Sequence, residues 1–184
     1  MGEFFEFGDV DAFTGGAIGR PGQRTFYLQV RADGGRATVK CEKQQVAALA
    51  QYLQRILADL PSPSDRPIPQ SLELVTPVDP VSFVVGQMGI AYDADIDRVV
   101  IMLEEFIPGD DDDDDLGDDD NPDESEPLVL ENDDDAGRVR VRLTRGQALA
   151  FAERAEEIVA AGRPPCVWCA LPLDPDGHVC PRMN

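Results

Sequence analysis

Apolar residues recur at helical spacing in two stretches of the chain. In residues 42–60, EKQQVAALAQYLQRILADL, the positions Val46, Leu49, Ala50, Leu53, Ile56, Leu57 and Leu60 follow one another at steps of three and one. Those steps place them on a single face of an α-helix, which predicts an amphipathic helix against a core. Pro61 and Pro63 follow, and the residue before a proline is driven out of the α region, so the helix is expected to stop near Leu60. A second helix is expected from Thr144, which with Gln147 has the spacing of a capping box. It would bury Ala148, Phe151, Ala152, Ala155, Ile158 and Val159 and end at Gly162 and Pro164.

Elsewhere the apolar residues alternate or cluster with β-branched and aromatic types. This predicts strands at 3–7, 12–18, 25–31, 36–41, 81–86, 89–92, 98–106 and 139–143. Asp33, Gly34 and Gly35 supply a hairpin turn, and residues 93–97 a second one. Shifting the chain by 102 positions lays VKCEKQQVAALA at 39–50 over VRLTRGQALAFA at 141–152, each a strand entering a helix. The expected fold is therefore α+β: a mostly antiparallel sheet with two helices on one face, built from two similar strand-then-helix halves. One α+β domain over residues 1–163 and a small tail over 164–184 are expected.

Charge changes the picture in one place. The formal charge is −20, but residues 104–135 hold 18 carboxylates and no Lys or Arg, so the rest of the chain carries only −2. The segment 108–136 is expected to be a disordered acidic loop, because neighbouring like charges oppose any compact form. It lacks the spacing of a calcium loop. The nearly neutral remainder has no basic surface for nucleic acid. Neither a membrane-spanning run nor a secretory leader is recognisable, so a cytoplasmic protein is expected.

Three of the four cysteines and the only histidine fall within residues 166–180: Cys166, Cys169, His178 and Cys180. Thiolate and imidazole are the donors a zinc ion prefers, and a two-residue spacer lets both thiolates of CVWC reach one ion. Pro165, Pro172, Pro175 and Gly177 keep this tail in turns, which suits a segment that a structural zinc ion folds around. A redox pair or an iron–sulfur site are the alternatives; redox CxxC pairs usually open a helix after a strand, whereas this one follows a helix. With His178 assigned to the metal, no histidine remains for a catalytic pair, and no catalytic residue is assigned. Cys41, on a strand, reads as a buried structural thiol.

The segment GGAIGRPGQR at 15–24 packs four glycines with Arg20 and Arg24. With Lys40 these could form an anion site, although a plain glycine turn explains the pattern as well. Two functions follow. One is a non-catalytic zinc-binding protein that engages a protein partner. The alternative is an enzyme or binding protein for a phosphorylated or carboxylated small molecule, acting through the segment 15–24.

Four stretches, GRPGQRTFYLQ at 19–29, EKQQVAALA at 42–50, GQMGIAYD at 86–93 and AGRPPCVWCALPLDPDGHVCPRMN at 161–184, resemble the signature blocks of an actinobacterial family, the domain of unknown function numbered three thousand and ninety. The resemblance spans nearly the whole chain apart from the acidic segment. It implies an uncharacterised protein whose gene lies beside those of phosphatase-like and kinase-like proteins, and it points to one of those neighbours as a partner.

Overall fold

The computed structural model describes residues 3–108, 136–162, 166–171, 173 and 180–182. Among these residues seven strands and two α-helices occur in the order β1 (Phe4–Phe7), β2 (Ala12–Ile18), β3 (Thr25–Ala32), β4 (Gly35–Cys41), α1 (Lys43–Ala58), β5 (Val85–Asp93), β6 (Arg98–Glu105), β7 (Arg138–Leu143) and α2 (Arg145–Ala160). A single 3₁₀ turn, Pro69–Leu72, interrupts the connection from α1 to β5. The acidic segment, from 109 to 135, falls outside the described residues. Among the described residues no helix is long and apolar enough to cross a membrane.

The fold is α+β, and its strands form two mostly antiparallel sheets, ordered β1-β7-β6-β5 and β2-β3-β4. The exception is β1, which runs parallel to β7. Residues 82–84 link the sheets. The Ser82 amide donates to the Thr38 carbonyl at 2.7 Å and the Lys40 amide to the Phe83 carbonyl at 2.9 Å, while the Phe106 amide donates to the Val84 carbonyl at 2.8 Å. The two strands expected at 81–86 and 89–92 are one, β5, whose pairing to β6 shifts register between Val85 and Met88. A continuous strand with one irregularity keeps its ladder to β6, so the two segments had no reason to separate.

Local chemistry explains the element ends. Asp33 and Gly34, with φ of 51° and 76°, make the two-residue turn between β3 and β4. Positive φ at both positions is what a tight hairpin requires, and Asp and Gly tolerate it. Both helices have 16 residues and open with a capping box: Gln45 accepts from the Glu42 amide at 2.8 Å and Gln147 from the Thr144 amide at 2.9 Å. The cap residues Glu42 and Thr144 lie 102 positions apart, and the helices start and stop at the same offset. Each half is thus three antiparallel strands followed by a helix, β2-β3-β4-α1 and β5-β6-β7-α2.

The halves interlock. The Gln45 amide donates to the Val85 and Gly86 carbonyls at 3.1 and 3.0 Å, at the start of the second half's first strand. The Gln147 amide donates to the Val10 carbonyl at 2.7 Å, just before the first strand of the first half. Helices α1 and α2 pack side by side, α2 lying on β2 and α1 touching β5. One core joins both sheets and both helices, with Leu28, Val46, Leu53, Ile101, Val141 and Phe151 buried in it. The Phe151 ring meets Phe13 at a centroid distance of 4.6 Å, an aromatic contact contributing about 1 kcal/mol beyond its buried area.

The opposite face of β2-β3-β4 is covered by the connection after α1. There Gln29, fully buried, exchanges two hydrogen bonds with the Val75 backbone, at 3.0 and 3.2 Å, and meets Thr38 at 3.2 Å. Thr14 bonds the Leu72 carbonyl, and Arg31 the Ser71 carbonyl. Thr14, Gln29 and Arg31 are tolerable on this covered face because each bonds a backbone carbonyl of the connection, although the Arg31 Nε finds no partner among the described residues.

Candidate metal centre

The chain leaves α2 and turns sharply at Cys166. The Cys166 amide donates to the Leu171 carbonyl at 2.7 Å, and the Ala170 amide to the Cys166 carbonyl at 2.9 Å, which closes CVWCAL on itself. Ala170 takes a φ of 61°, in the left-handed region. The returning segment is pinned by Arg182, whose guanidinium donates to the Trp168 carbonyl at 3.0 Å and sets Cys180 beside Cys166.

The three sulfur atoms of Cys166, Cys169 and Cys180 lie within 4.8 Å of one another, and Cys166 and Cys180 are 3.9 Å apart. A tetrahedral ion with metal–sulfur bonds of about 2.3 Å holds its sulfurs about 3.8 Å apart, whereas a disulfide needs about 2.0 Å. The spacing therefore fits three thiolates around one metal ion rather than a disulfide. Cys166 and Cys180 are buried and Cys169 half-buried. The amides of Cys169 and Trp168 point at the Cys166 sulfur and pull its thiol down to about 6, with the neighbouring thiols adding to the effect against the penalty of burial. Burial holds the Cys169 thiol above its ordinary value. A thiolate stabilised at neutral pH is the form that binds metal.

His178, expected as a fourth ligand, lies outside the described residues. The apolar residues in the turn were not singled out from the sequence. Val167 is 90% exposed and Trp168 61%, and Leu171 is also exposed. The spacer itself carries the signal, since a turn of two residues between two inward thiols leaves its own side chains outside.

Arg20, Arg24 and Lys40 are not brought together. The segment 19–24 is the hairpin turn between β2 and β3, closed by the Gln23 amide on the Arg20 carbonyl at 2.8 Å, with Gly19 and Gly22 at positive φ. Gly15 and Gly16 are packing glycines in β2. A side chain on Gly16 would lie 2.9 Å from Leu74, and one on Gly15 would lie 3.4 Å from Phe151. Lys40 pairs with Tyr27, in register one step from the buried pair Phe26 and Cys41, so it projects from the outer face. Arg24 lies at the inner end of the turn and donates to the Ala161 carbonyl after α2. The anion site expected from these three residues therefore lacks a common face. Cys41 is buried, and burial, reinforced by the Glu42 charge, pushes its thiol up to about 12.

No curated protein and no solved structure matches the chain. A family model does, over residues 5–180, so the match takes in β2 to α2 whole together with all three clustered cysteines. The chain belongs to the family described as Protein of unknown function (DUF3090).

Proposed function

We propose that Cys166, Cys169 and Cys180 hold a structural zinc ion, with His178 as the fourth ligand, and that the protein is a non-catalytic accessory module of the cytosol. The zinc knuckle presents Val167 and Trp168 to a protein partner. The observation that carries this reading is the position of those two side chains, largely exposed at the tip of the turn whose thiols converge behind them. Four protein ligands close the coordination sphere and leave no position for a substrate, which is the arrangement of structural zinc. An exposed tryptophan held on a rigid turn is also the kind of anchor that dominates protein interfaces. The phosphatase-like and kinase-like proteins pointed to by the sequence resemblance are the partners to test first.

Elemental analysis of the protein purified without chelators should find about one zinc per chain, and binding to each of the two candidate partners should be lost in Trp168→Ala while the metal is kept. Protein without stoichiometric metal, or undiminished binding by Trp168→Ala, overturns the reading.

A further inference from the structure

The two halves of the fold place different residues at one equivalent position. In the first half Phe26 pairs with Cys41, and in the second Val99 pairs with Leu143. Continuing each register by two residues sets Arg24 opposite Lys43 and Asp97 opposite Arg145, the first residues of α1 and α2. On the neighbouring strand Ala17 stands beside Phe26, and Tyr92 beside Val99.

In the second half this position is closed. The Arg145 guanidinium reaches Asp97 at 2.8 and 3.2 Å, and the Tyr92 hydroxyl donates to the same carboxylate at 2.7 Å. Arg145 also donates to the Pro61 carbonyl beyond α1, as Arg24 does to the Ala161 carbonyl beyond α2. The charge is matched, and an aromatic ring occupies the strand position beside it.

In the first half arginine stands where the second has aspartate, and alanine where it has tyrosine. The cations Arg24 and Lys43 therefore share a cleft of about 450 Å³ with Phe26, Glu42, Ile158 and Val159. Lys43 forms no hydrogen bond or ion pair with any described residue. Glu42 caps α1, its carboxylate accepting from the Gln45 amide, and forms no ion pair with either cation. Phe26 and Ile158 give the cleft an apolar wall continuous with the core.

We infer that this cleft binds a small organic carboxylate, its charged group against Lys43 and Arg24 and its apolar body along Phe26, Ile158 and Val159. The second half shows which counter-ion the scaffold uses at this position, a carboxylate held by the first residue of the helix. The volume is that of a small-molecule site, and apolar walls with a few placed polar groups are their usual make-up. Among the described residues no carboxylate pairs with Arg24 or Lys43, so the two cations repel each other, and an incoming carboxylate relieves this with charge-assisted hydrogen bonds.

The test is titration of the full-length ¹⁵N-labelled protein with hexanoate at low salt, following the amide resonances of Gly22, Lys43 and Gly162, with 1-hexanol and inorganic phosphate as parallel probes. Hexanoate should shift these amides saturably and 1-hexanol should not. Lys43→Gln, at an exposed position, should keep the fold and weaken binding by about tenfold, the scale of one lost charge-assisted contact. Arg24→Asp should abolish binding, because it restores across from Lys43 the pairing that Asp97 makes with Arg145. Absence of a saturable shift with hexanoate overturns the inference. So does hexanoate binding that Lys43→Gln leaves unchanged, or saturable binding of phosphate without hexanoate. Lys43→Gln decides the matter even where Arg24→Asp does not fold, and none of these readouts depends on the metal in the tail.

Discussion

Replacing Gln147 with alanine tests whether the clasp between the halves contributes to stability. The side chain performs two tasks at once. Its oxygen accepts from the Thr144 amide at 2.9 Å, and its amide donates to the Val10 carbonyl at 2.7 Å. Removing it opens one side of the capping box, a loss of about 1 kcal/mol. It also strands the Val10 carbonyl in a partly buried setting, which costs about 1 kcal/mol more. The expected total is about 2 kcal/mol, and for a protein of this size that lowers Tm by roughly 4–8 °C. Gln147→Glu separates the two parts, since its carboxylate still accepts from Thr144 but faces the Val10 carbonyl without a donor. Urea unfolding followed by far-UV circular dichroism should rank wild type above both variants, and Gln45→Ala, which releases the Val85 and Gly86 carbonyls, should resemble Gln147→Ala. The reasoning fails if Gln147→Ala unfolds within about 0.5 kcal/mol of wild type, the range of an ordinary surface substitution.

Gly146→Ala should destabilise by about 1–3 kcal/mol despite the better helix propensity of alanine, because its Cβ would collide with the Asp65 carbonyl oxygen; a variant more stable than wild type in the same unfolding assay refutes this. The hydrogen bond from Tyr92, then the bond from Arg145, hold the Asp97 carboxyl below its ordinary value of 3.8. Its ionised form therefore favours the fold above that value, and the contribution is lost as pH falls through the lower folded value. Asp97→Asn should be less stable than wild type near neutrality, with the gap narrowing on acidification, and parallel pH–stability curves would contradict it. In metal-free protein Cys166, pulled down to about 6, should react with iodoacetamide at neutral pH well before Cys41, pushed up to about 12; mass mapping that finds Cys41 alkylated first would be contrary.

What the chain's own pattern determined is local. The helices α1 and α2 could be placed because apolar spacing and a capping box act within a few residues, and the capping-box glutamine lies three residues after its cap in both. Asp33 and Gly34 specify their turn by backbone freedom alone, and CVWC brings two thiols together through the reach of a short spacer. Even the repeat of the strand-to-helix unit was visible as a shift of 102 positions.

Tertiary structure decided what depends on distant partners. Nothing near Phe4–Phe7 specifies a parallel neighbour at Arg138–Leu143, and the separation into two sheets bridged by residues 82–84 follows from pairings that local alternation does not encode. The glycines of β2 suggested a turn or an anion cradle until Phe151 and Leu74 were found against them. Gln29, a polar residue in the middle of β3, is buried because the distant Val75 backbone and Thr38 supply its three bonds. Lys43 acquires meaning only beside Arg24 and opposite its counterpart Arg145. Periodicity records which face a residue occupies, whereas the identity of the group across from it is set by long-range packing, where every pairing must first offset the entropy of closing the chain between them.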